Sequence, residues 1–281
     1  MSNVAKGKNS SLLKTPGVII LVLIFCIAIF APFLTSYDPD RADLSLSEQK
    51  PSITHWCGTD KLGRDVFTRT IYGTRISLMV GISAAFVAVF LGACIGLLAG
   101  FFGGWTDSIL MRIVDTVNSP PETILLIVLV TMFPRSVLTI ILIIGLTHWM
   151  STSRMIRGES LSLKERPFVE AAVALGAGNL YIIRKHILPN LVYVLVISVS
   201  LMAAHAILTE SFLSFLGLGI PAHLASWGNM MNEGQRDIMR GIWWTTLFPG
   251  IMIILTVLSI YLVGDSLKDR FVPKREMRSE I

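Results

Sequence analysis

Three ionisable side chains lie within or at the end of strongly apolar stretches. His205 and Glu210 share one such stretch, and His148 ends another. Because an ionisable group is costly in lipid, it usually faces the interior of a helix bundle or a water-filled path. Imidazole is also a suitable transient ligand for transition metals such as nickel. Two alternatives follow for His205 and Glu210. The favoured one is a role in hydrogen bonds that only hold helices together, and the other is that they line a translocation path together with His148.

The sequence lacks the motifs of nucleotide binding and of common hydrolases. It contains no GxxxxGK[ST] phosphate loop, no HExxH or GxSxG motif and no cysteine–histidine cluster. His55 and Cys57 are separated by one residue, but two potential ligands fall short of a metal site. We therefore expect no catalytic residue and no cofactor in this chain. A binding and conducting role without bond chemistry is the predicted function.

The composition favours a polytopic membrane protein. The 281 residues are 53% hydrophobic and only 15% charged, whereas a soluble domain carries nearer a quarter charged residues. Several apolar runs approach the roughly 20 residues that a bilayer-spanning helix needs. The net charge of +5 is attributed to basic cytoplasmic loops rather than to nucleic-acid binding.

Six spans are predicted, with both termini in the cytoplasm. Lys and Arg are more numerous on the side that this topology places in the cytoplasm. A re-entrant hairpin over residues 120–150 is the alternative to two full spans, and the fourth helix can continue past Ser153 towards Leu163. The predicted spans are residues 17–34, 78–102, 120–133, 137–150, 190–218 and 242–263.

The spans divide the chain into one transmembrane domain, 17–263, with two cytoplasmic tails, 1–16 and 264–281. Residues 35–76 are expected outside the cell, and residues 151–189 are expected to form a cytoplasmic loop. The outer segment contains Gly58-Thr59-Asp60 and Gly63-Arg64-Asp65, which carry turn chemistry. Holding the fold is their expected role, with direct contact to a substrate or its carrier as the alternative.

Four glycines of the second span recur every four residues: Gly92, Gly96, Gly100 and Gly104. Such spacing lets another helix approach closely in lipid. The pattern leaves open whether this helix belongs to the same subunit or to another one.

A helix–turn–helix is predicted between the fourth and fifth spans. Pro167 suits the first turn of a helix, Gly176 and Gly178 are expected to break it, and a second helix is predicted from Asn179 to Pro189. A small-residue face on a protruding helix suits insertion into a partner's groove. A connector lying on the membrane surface is the alternative. One face of the first helix combines Phe168, Ala171, Ala172 and Leu175.

The EAA, Gly-Ala and Leu-Pro pattern of this loop resembles the cytoplasmic signature loop of permease subunits in bacterial ATP-binding-cassette importers. The string GTDxxGRDxxxRxxxGxRxSL from Gly58 and the segment ESFLSFLGLG resemble the peptide/nickel branch of that family. The phrase THWxxxxRMxR from Thr147, together with a histidine at position 205, looks like the nickel permeases.

The resemblance implies an all-α MetI-like type I importer permease of about six transmembrane helices in a bacterial inner membrane. It implies two ATPase subunits that carry ATP and Mg²⁺, a second homologous permease and an extracytoplasmic substrate-binding protein as partners. Nickel or a metal chelate is the favoured cargo, with dipeptides or oligopeptides as the alternative. A channel, a secondary carrier or a membrane enzyme is less favoured. The implied ATPase-coupling residues are Glu170, Ala171, Ala172, Gly176, Ala177, Leu188 and Pro189.

Overall fold

The computed structural model describes the backbone of residues 3–271 and the side chains of residues 16–269. Within these residues the chain is helical, without a β-strand. Parts of the predicted tails, residues 1–2 and 272–281, lie outside the described residues. The α-helices are α1 (Asn3–Leu34), α2 (Val66–Phe102), α3 (Gly104–Val117), α4 (Glu122–Met132), α5 (Val137–Lys164), α6 (Pro167–Ala174), α7 (Asn179–Ile182), α8 (Leu188–Phe215), α9 (Trp227–Ile238) and α10 (Trp244–Phe271).

Five helical stretches are long and apolar enough to cross a membrane, and a bent pair, α3 with α4, would make a sixth. The prediction of about six transmembrane helices agrees with this count. The five stretches are Pro16–Leu34, Val66–Phe102, Val137–Lys164, Asn179–Phe215 and Trp244–Asp269.

The bend between α3 and α4 measures 78°. It falls at Pro120 and Pro121, because proline lacks the backbone N–H that would continue the helix. The third apolar stretch therefore does not extend as helix at its N-terminus, although α5 does run past Ser153, as predicted. Two ion pairs hold α3 on α5: Arg154 donates to Asp115 at 2.8 Å and Arg157 donates to Asp107 at 2.6 Å.

The second span begins earlier than the sequence predicted, at Val66 rather than Leu78. Asp65 caps this helix, because its Oδ2 accepts a hydrogen bond from the Thr68 N–H at 2.7 Å. The polar residues between Val66 and Leu78 can be helical because they pack inside the protein; Arg69, for example, is only 1% exposed.

The glycine pattern of α2 packs against α5 of the same chain. A Cβ on Gly92 would lie 2.7 Å from the carbonyl oxygen of Trp149, and one on Gly100 would lie 2.6 Å from that of Arg157. Helix α5 reciprocates, since a Cβ on Gly145 would lie 2.6 Å from Val87. Gly104 does not take part: it has a φ of +53° and begins α3. The spacing therefore supports packing within the subunit.

Residues 35–65 and α9 form a compact unit, called here the charged lobe. Asp60 accepts from the Arg64 Nε at 2.7 Å, and the other end of Arg64 donates to Glu233 of α9 at 2.6 Å. Gly58 and Gly63 have φ values of +73° and +71°, as the turn chemistry predicts. These contacts support the fold-holding interpretation of the two turns.

Candidate functional site

The predicted helix–turn–helix begins with α6, which follows α5 after a two-residue connection. Val169 and Ala172, one turn apart, are buried and pack with Phe101, Ile182 and Ile187. Glu170 and Ala171 are exposed. Ala172 is therefore the one buried member of the predicted face, because the helix is oriented by Val169 and Ala172 rather than by the pattern starting at Phe168.

The segment leaves several large apolar side chains exposed. Leu175 is the most open of them, at 88% exposure. Because isolated proteins seldom leave large contiguous apolar patches open, an apolar surface of this kind indicates a partner or a membrane. We call this the α6–α7 surface, and its apolar members are Phe168, Val173, Leu175, Leu180 and Tyr181.

Gly176 ends α6 in the left-handed conformation, with a φ of +79°. Its N–H donates to the Val173 carbonyl at 2.9 Å, and the Ala177 N–H donates to the Ala172 carbonyl at 3.0 Å. This pair of bonds is the Schellman arrangement, in which glycine is strongly preferred. The predicted break at Gly176 is confirmed. Gly178 has an ordinary φ of −71°, so its predicted left-handed role is wrong.

The predicted second helix does not end at Pro189. After α7 the chain makes a π-helical turn over Ile183–Ile187 and continues directly into α8. Pro189 lies in the first turn of α8, and its missing N–H leaves out one bond of the helical ladder directly after the π-helical turn. Leu188 and Pro189 thus mark the start of α8, whereas Glu170 lies in α6 and Gly176 in the exposed turn that ends α6.

His148 and His205 meet through a third residue that the sequence analysis did not select. The Oε1 atom of Glu122 lies 2.8 Å from Nε2 of His148 and 3.5 Å from Nε2 of His205. The two imidazole centroids are 4.9 Å apart. His148 is buried, whereas the side chains of His205 and Glu122 are 47% and 51% exposed. The available sequence signal was the position of Glu122, a carboxylate directly after Pro120-Pro121.

Glu210 does not join this cluster, although it lies on the same helix as His205. Its side chain is wholly buried, and Ser214 donates to it at 2.8 Å. Ser77 of α2 lies 3.5 Å from the same carboxylate and also accepts the Trp227 N–H at 3.3 Å. These contacts join α2, α8 and the start of α9, so they favour the alternative in which hydrogen bonds hold the helices together.

His55 and Cys57 also contact different residues. The Nδ1 atom of His55 lies 2.9 Å from Oδ1 of Asp65, whereas Cys57 is buried with Val66 and Trp244. Burial, with a smaller contribution from the charge of Asp65, raises the pKa of the Cys57 thiol to about 12. The described contacts give these two side chains no shared ligand geometry.

The described residues form a bundle of apolar helices, five of which are long and apolar enough to cross a membrane, with an exposed apolar turn and a polar cluster between helices. Residues 92–277 match the family described as the binding-protein-dependent transport system inner membrane component. The chain belongs to this family, the permeases of ATP-binding-cassette importers. Residues 17–51 also match the N-terminal transmembrane domain of oligopeptide transport permease C.

Two relatives from Bacillus subtilis (strain 168) resemble this chain over most of its length. The dipeptide transport system permease protein DppC is 42% identical over 93% of this chain and 82% of its own. The oligopeptide transport system permease protein OppC is 41% identical over 95% of this chain and 87% of its own. The chain is similar in fold to a methionine ABC transporter, MetNI, in an inward-facing conformation (TM-score 0.58, 18% identity, covering 73% of this chain and 97% of the other).

These relatives correct the expectation about cargo. Nickel or a metal chelate was the expected cargo, on the strength of His148 and His205. The similar permeases are named for dipeptides and oligopeptides, so nickel is not supported and the peptide alternative fits better. The two histidines do meet in space, but they meet in a chain whose overall sequence resembles peptide permeases.

Proposed function

We propose that this chain is one permease of a bacterial importer for short peptides, driven by separate ATPase subunits. The cargo is inferred from the dipeptide and oligopeptide permeases that resemble the chain over more than nine-tenths of its length. A second homologous permease would complete the pathway, and an extracytoplasmic binding protein would deliver the peptide. ATP and Mg²⁺ would bind to the ATPase subunits only.

The α6–α7 surface is the observation that carries the coupling part of this proposal. Its exposed apolar residues can enter a groove of a partner protein, where their removal from water would favour the complex. Glu170 stands beside them, exposed and in the first turn of α6. A cation in the partner's groove would complement this carboxylate. The Schellman turn at Gly176 then holds the projecting end of α6 in a fixed direction.

The connection from this surface into the membrane is continuous helix. Helix α7 passes through the π-helical turn Ile183–Ile187 into α8, which carries His205. A displacement of α7, which the turn at Gly176 joins to α6, would therefore reach α8 through helix alone. π-helical turns are often found at functional sites, and this one lies between the docking surface and the span. We infer that α8 transmits ATPase movement to the pathway.

Uptake in a strain that lacks this gene would test the cargo. We expect the deletion strain to lose uptake of radiolabelled di- and tripeptides, and the wild-type gene, but not its Gly176→Asp variant, to restore it. Uptake of ⁶³Ni²⁺ measured in the same strains should be unchanged. A deletion that lowers ⁶³Ni²⁺ uptake and spares every peptide tested would refute the proposal.

Affinity purification of the tagged chain from a detergent-solubilised membrane would test the partners. We expect one related permease and two ATPase domains to co-purify in a complex with ATPase activity. A stable, active homodimer without a second permease would contradict the heterodimer.

A further inference from the structure

We propose that Glu122, His148 and His205 form a binding site for a divalent transition-metal ion of the zinc type, which resides in the wall of the permease. The ion is not the cargo. It would be a resident ligand that joins three helices, α4, α5 and α8, because each helix contributes one of the three side chains. The proposal therefore stands independently of which solute the importer carries.

The ligand atoms are already gathered around one point. One atom from each side chain lies within 4.8 Å of the others. Ligands that bind zinc at roughly 2.0–2.2 Å in a tetrahedral site lie roughly 3.4 Å from one another. The 3.5 Å separation of His205 Nε2 and Glu122 Oε1 matches that value. The separation of His148 Nε2 and Glu122 Oε1 is 2.8 Å. These two atoms would have to move apart by roughly half an ångström to bind the same ion in a tetrahedral site.

The hydrogen bond on the far side of His148 fixes its tautomer. Its Nδ1 atom lies 2.7 Å from the carbonyl oxygen of Ile144. A carbonyl oxygen only accepts hydrogen bonds, so Nδ1 carries the hydrogen and donates it. In the neutral ring Nε2 then presents a lone pair to Glu122. A backbone carbonyl that holds the second ring nitrogen is the usual support of a metal-binding histidine.

This arrangement requires a cation. The lone pair of His148 Nε2 faces an oxygen of Glu122 at 2.8 Å, and two acceptors at this distance repel each other unless a positive charge lies between them. A proton or a metal ion can supply the charge. A proton would bridge only His148 and Glu122, and His205 could then donate its own N–H to Glu122, whereas a metal ion accepts all three ligands at once.

The exposure of the cluster leaves one side of the site open to solvent. His148 is buried and held, while Glu122 and His205 are each about half exposed. A site with three protein ligands and one open side leaves the fourth coordination position to water, as in catalytic zinc sites. Under the proposed function the ion would stand beside the pathway and hinder movement of α4 against α5 and α8. Bound Zn²⁺ should therefore slow peptide uptake.

Metal binding is best measured on the purified importer in lipid nanodiscs, without peptide. We expect equilibrium dialysis to find one Zn²⁺ per importer that is removed by His205→Gln and by Glu122→Gln. Each substitution should weaken binding by about tenfold or more, since even supporting residues of metal sites contribute that much. His223→Gln is the matched control, because it removes an exposed histidine outside the cluster. All variants must elute as the assembled complex.

Co²⁺ gives an independent signal. Wild-type importer and the His223→Gln variant should develop the intense visible absorption of a four-coordinate Co²⁺ site, and the two cluster variants should not. Equal Zn²⁺ binding by His205→Gln and His223→Gln would overturn the proposal. So would the absence of Co²⁺ absorption in the wild type, which would assign the cation between His148 and Glu122 to a proton. Because no step uses peptide, failure here would leave the proposed cargo untouched.

Discussion

The charged lobe and the α6–α7 surface are both built on glycines with positive φ, yet these glycines have opposite surroundings. In the lobe, a Cβ on Gly58 would lie 2.6 Å from the Gln49 carbonyl oxygen, and one on Gly63 would overlap the Asp43 carbonyl. At Gly176, apart from the two neighbouring residues in the chain, no atom of the described residues lies within 4 Å of such a Cβ. The turns at Gly58 and Gly63 are therefore packed against other residues of the lobe, whereas the turn at Gly176 has free space around it.

The polar and apolar groups of the two regions differ in the same way. In the lobe, Arg64 is shared between Asp60 and Glu233, so its buried charge is compensated inside the chain. The α6–α7 surface exposes large apolar residues such as Leu175. Helix α6 packs on the rest of the protein through two small buried side chains, Val169 and Ala172. The polar groups of the lobe are paired within the chain, whereas the α6–α7 surface leaves large apolar side chains exposed. Substitutions should therefore harm folding in the first region and coupling in the second.

The largest effect is expected for Gly63→Ala in the charged lobe. The new side chain would meet about 1–2 kcal/mol of strain from the positive φ and would also collide with the Asp43 carbonyl. The yield of assembled importer and its Tm, measured by fluorescence-detected gel filtration after heating, should both fall clearly. The control is Gly178→Ala, whose φ of −71° and open surroundings accept a methyl group. Equal Tm values for both variants would contradict the expectation that substitutions in the lobe harm folding more than substitutions near the α6–α7 surface.

Gly176→Asp should leave folding intact and disable coupling. Its Cβ has room, so the cost is the positive φ, about 1–2 kcal/mol, confined to the exposed turn. Membrane insertion should be normal, whereas peptide uptake and the stimulation of ATPase activity by loaded binding protein should fall by about tenfold, the effect of roughly 1.4 kcal/mol.

Gly178→Asp is the matched control for this variant. It places the same charge two residues away, at a position with ordinary backbone geometry that precedes α7, where aspartate is a good cap. Both activities are measured in reconstituted vesicles. Wild-type uptake and wild-type ATPase stimulation with Gly176→Asp would contradict a coupling role for the α6–α7 surface.

Glu170→Arg should have a smaller effect on the same measurements. The carboxylate lies in the first turn of α6, where a negative charge favours the helix by about 0.3–1 kcal/mol, and it stands where the proposed partner docks. Uptake should fall several-fold while assembly persists. Glu165→Arg, an exposed charge reversal just before α6, should change uptake little. If both reversals reduce uptake equally, the effect is one of general charge and not of docking.

Thiol labelling measures accessibility rather than transport. It distinguishes the two regions by the side of the membrane on which each lies. In a background with Cys26 and Cys94 replaced by Ser, a membrane-impermeant maleimide added to sealed cells at pH 8 should modify Ile53→Cys, since Ile53 is 95% exposed. It should not modify Glu170→Cys until the membrane is opened. Reaction at position 170 in intact cells would reverse the predicted orientation.

Cys57 itself should stay unmodified in this experiment, although it lies in the same segment as Ile53. Its thiol is buried, and a pKa raised to about 12 leaves almost no reactive thiolate at pH 8. The fraction of thiolate grows as the pH rises towards 12, so labelling at pH 8 that matches Ile53→Cys would mean that the lobe is open in the membrane.

The sequence by itself determined the features that depend on a few neighbouring residues. Apolar length predicted the spans, and glycine chemistry predicted the turns at Gly58, Gly63 and Gly176, because backbone conformation there is chosen by local sterics. The signature loop and the family were also readable from the chain. The bounds of the helices were not determined in this way. Helix α2 begins at Val66, because Asp65 caps it and its polar first turns are buried in the protein interior.

Only the tertiary structure decided which side chains meet. His205 and Glu210 have similar sequence surroundings, but a separation of five residues turns them to different sides of α8, since a helix repeats every 3.6 residues. One then faces Glu122 and His148, and the other is enclosed by serines. The same holds for the glycines of α2, whose spacing predicts a close neighbour but not that this neighbour is α5. Contacts between residues far apart in the chain depend on how whole helices pack, and no local pattern records that.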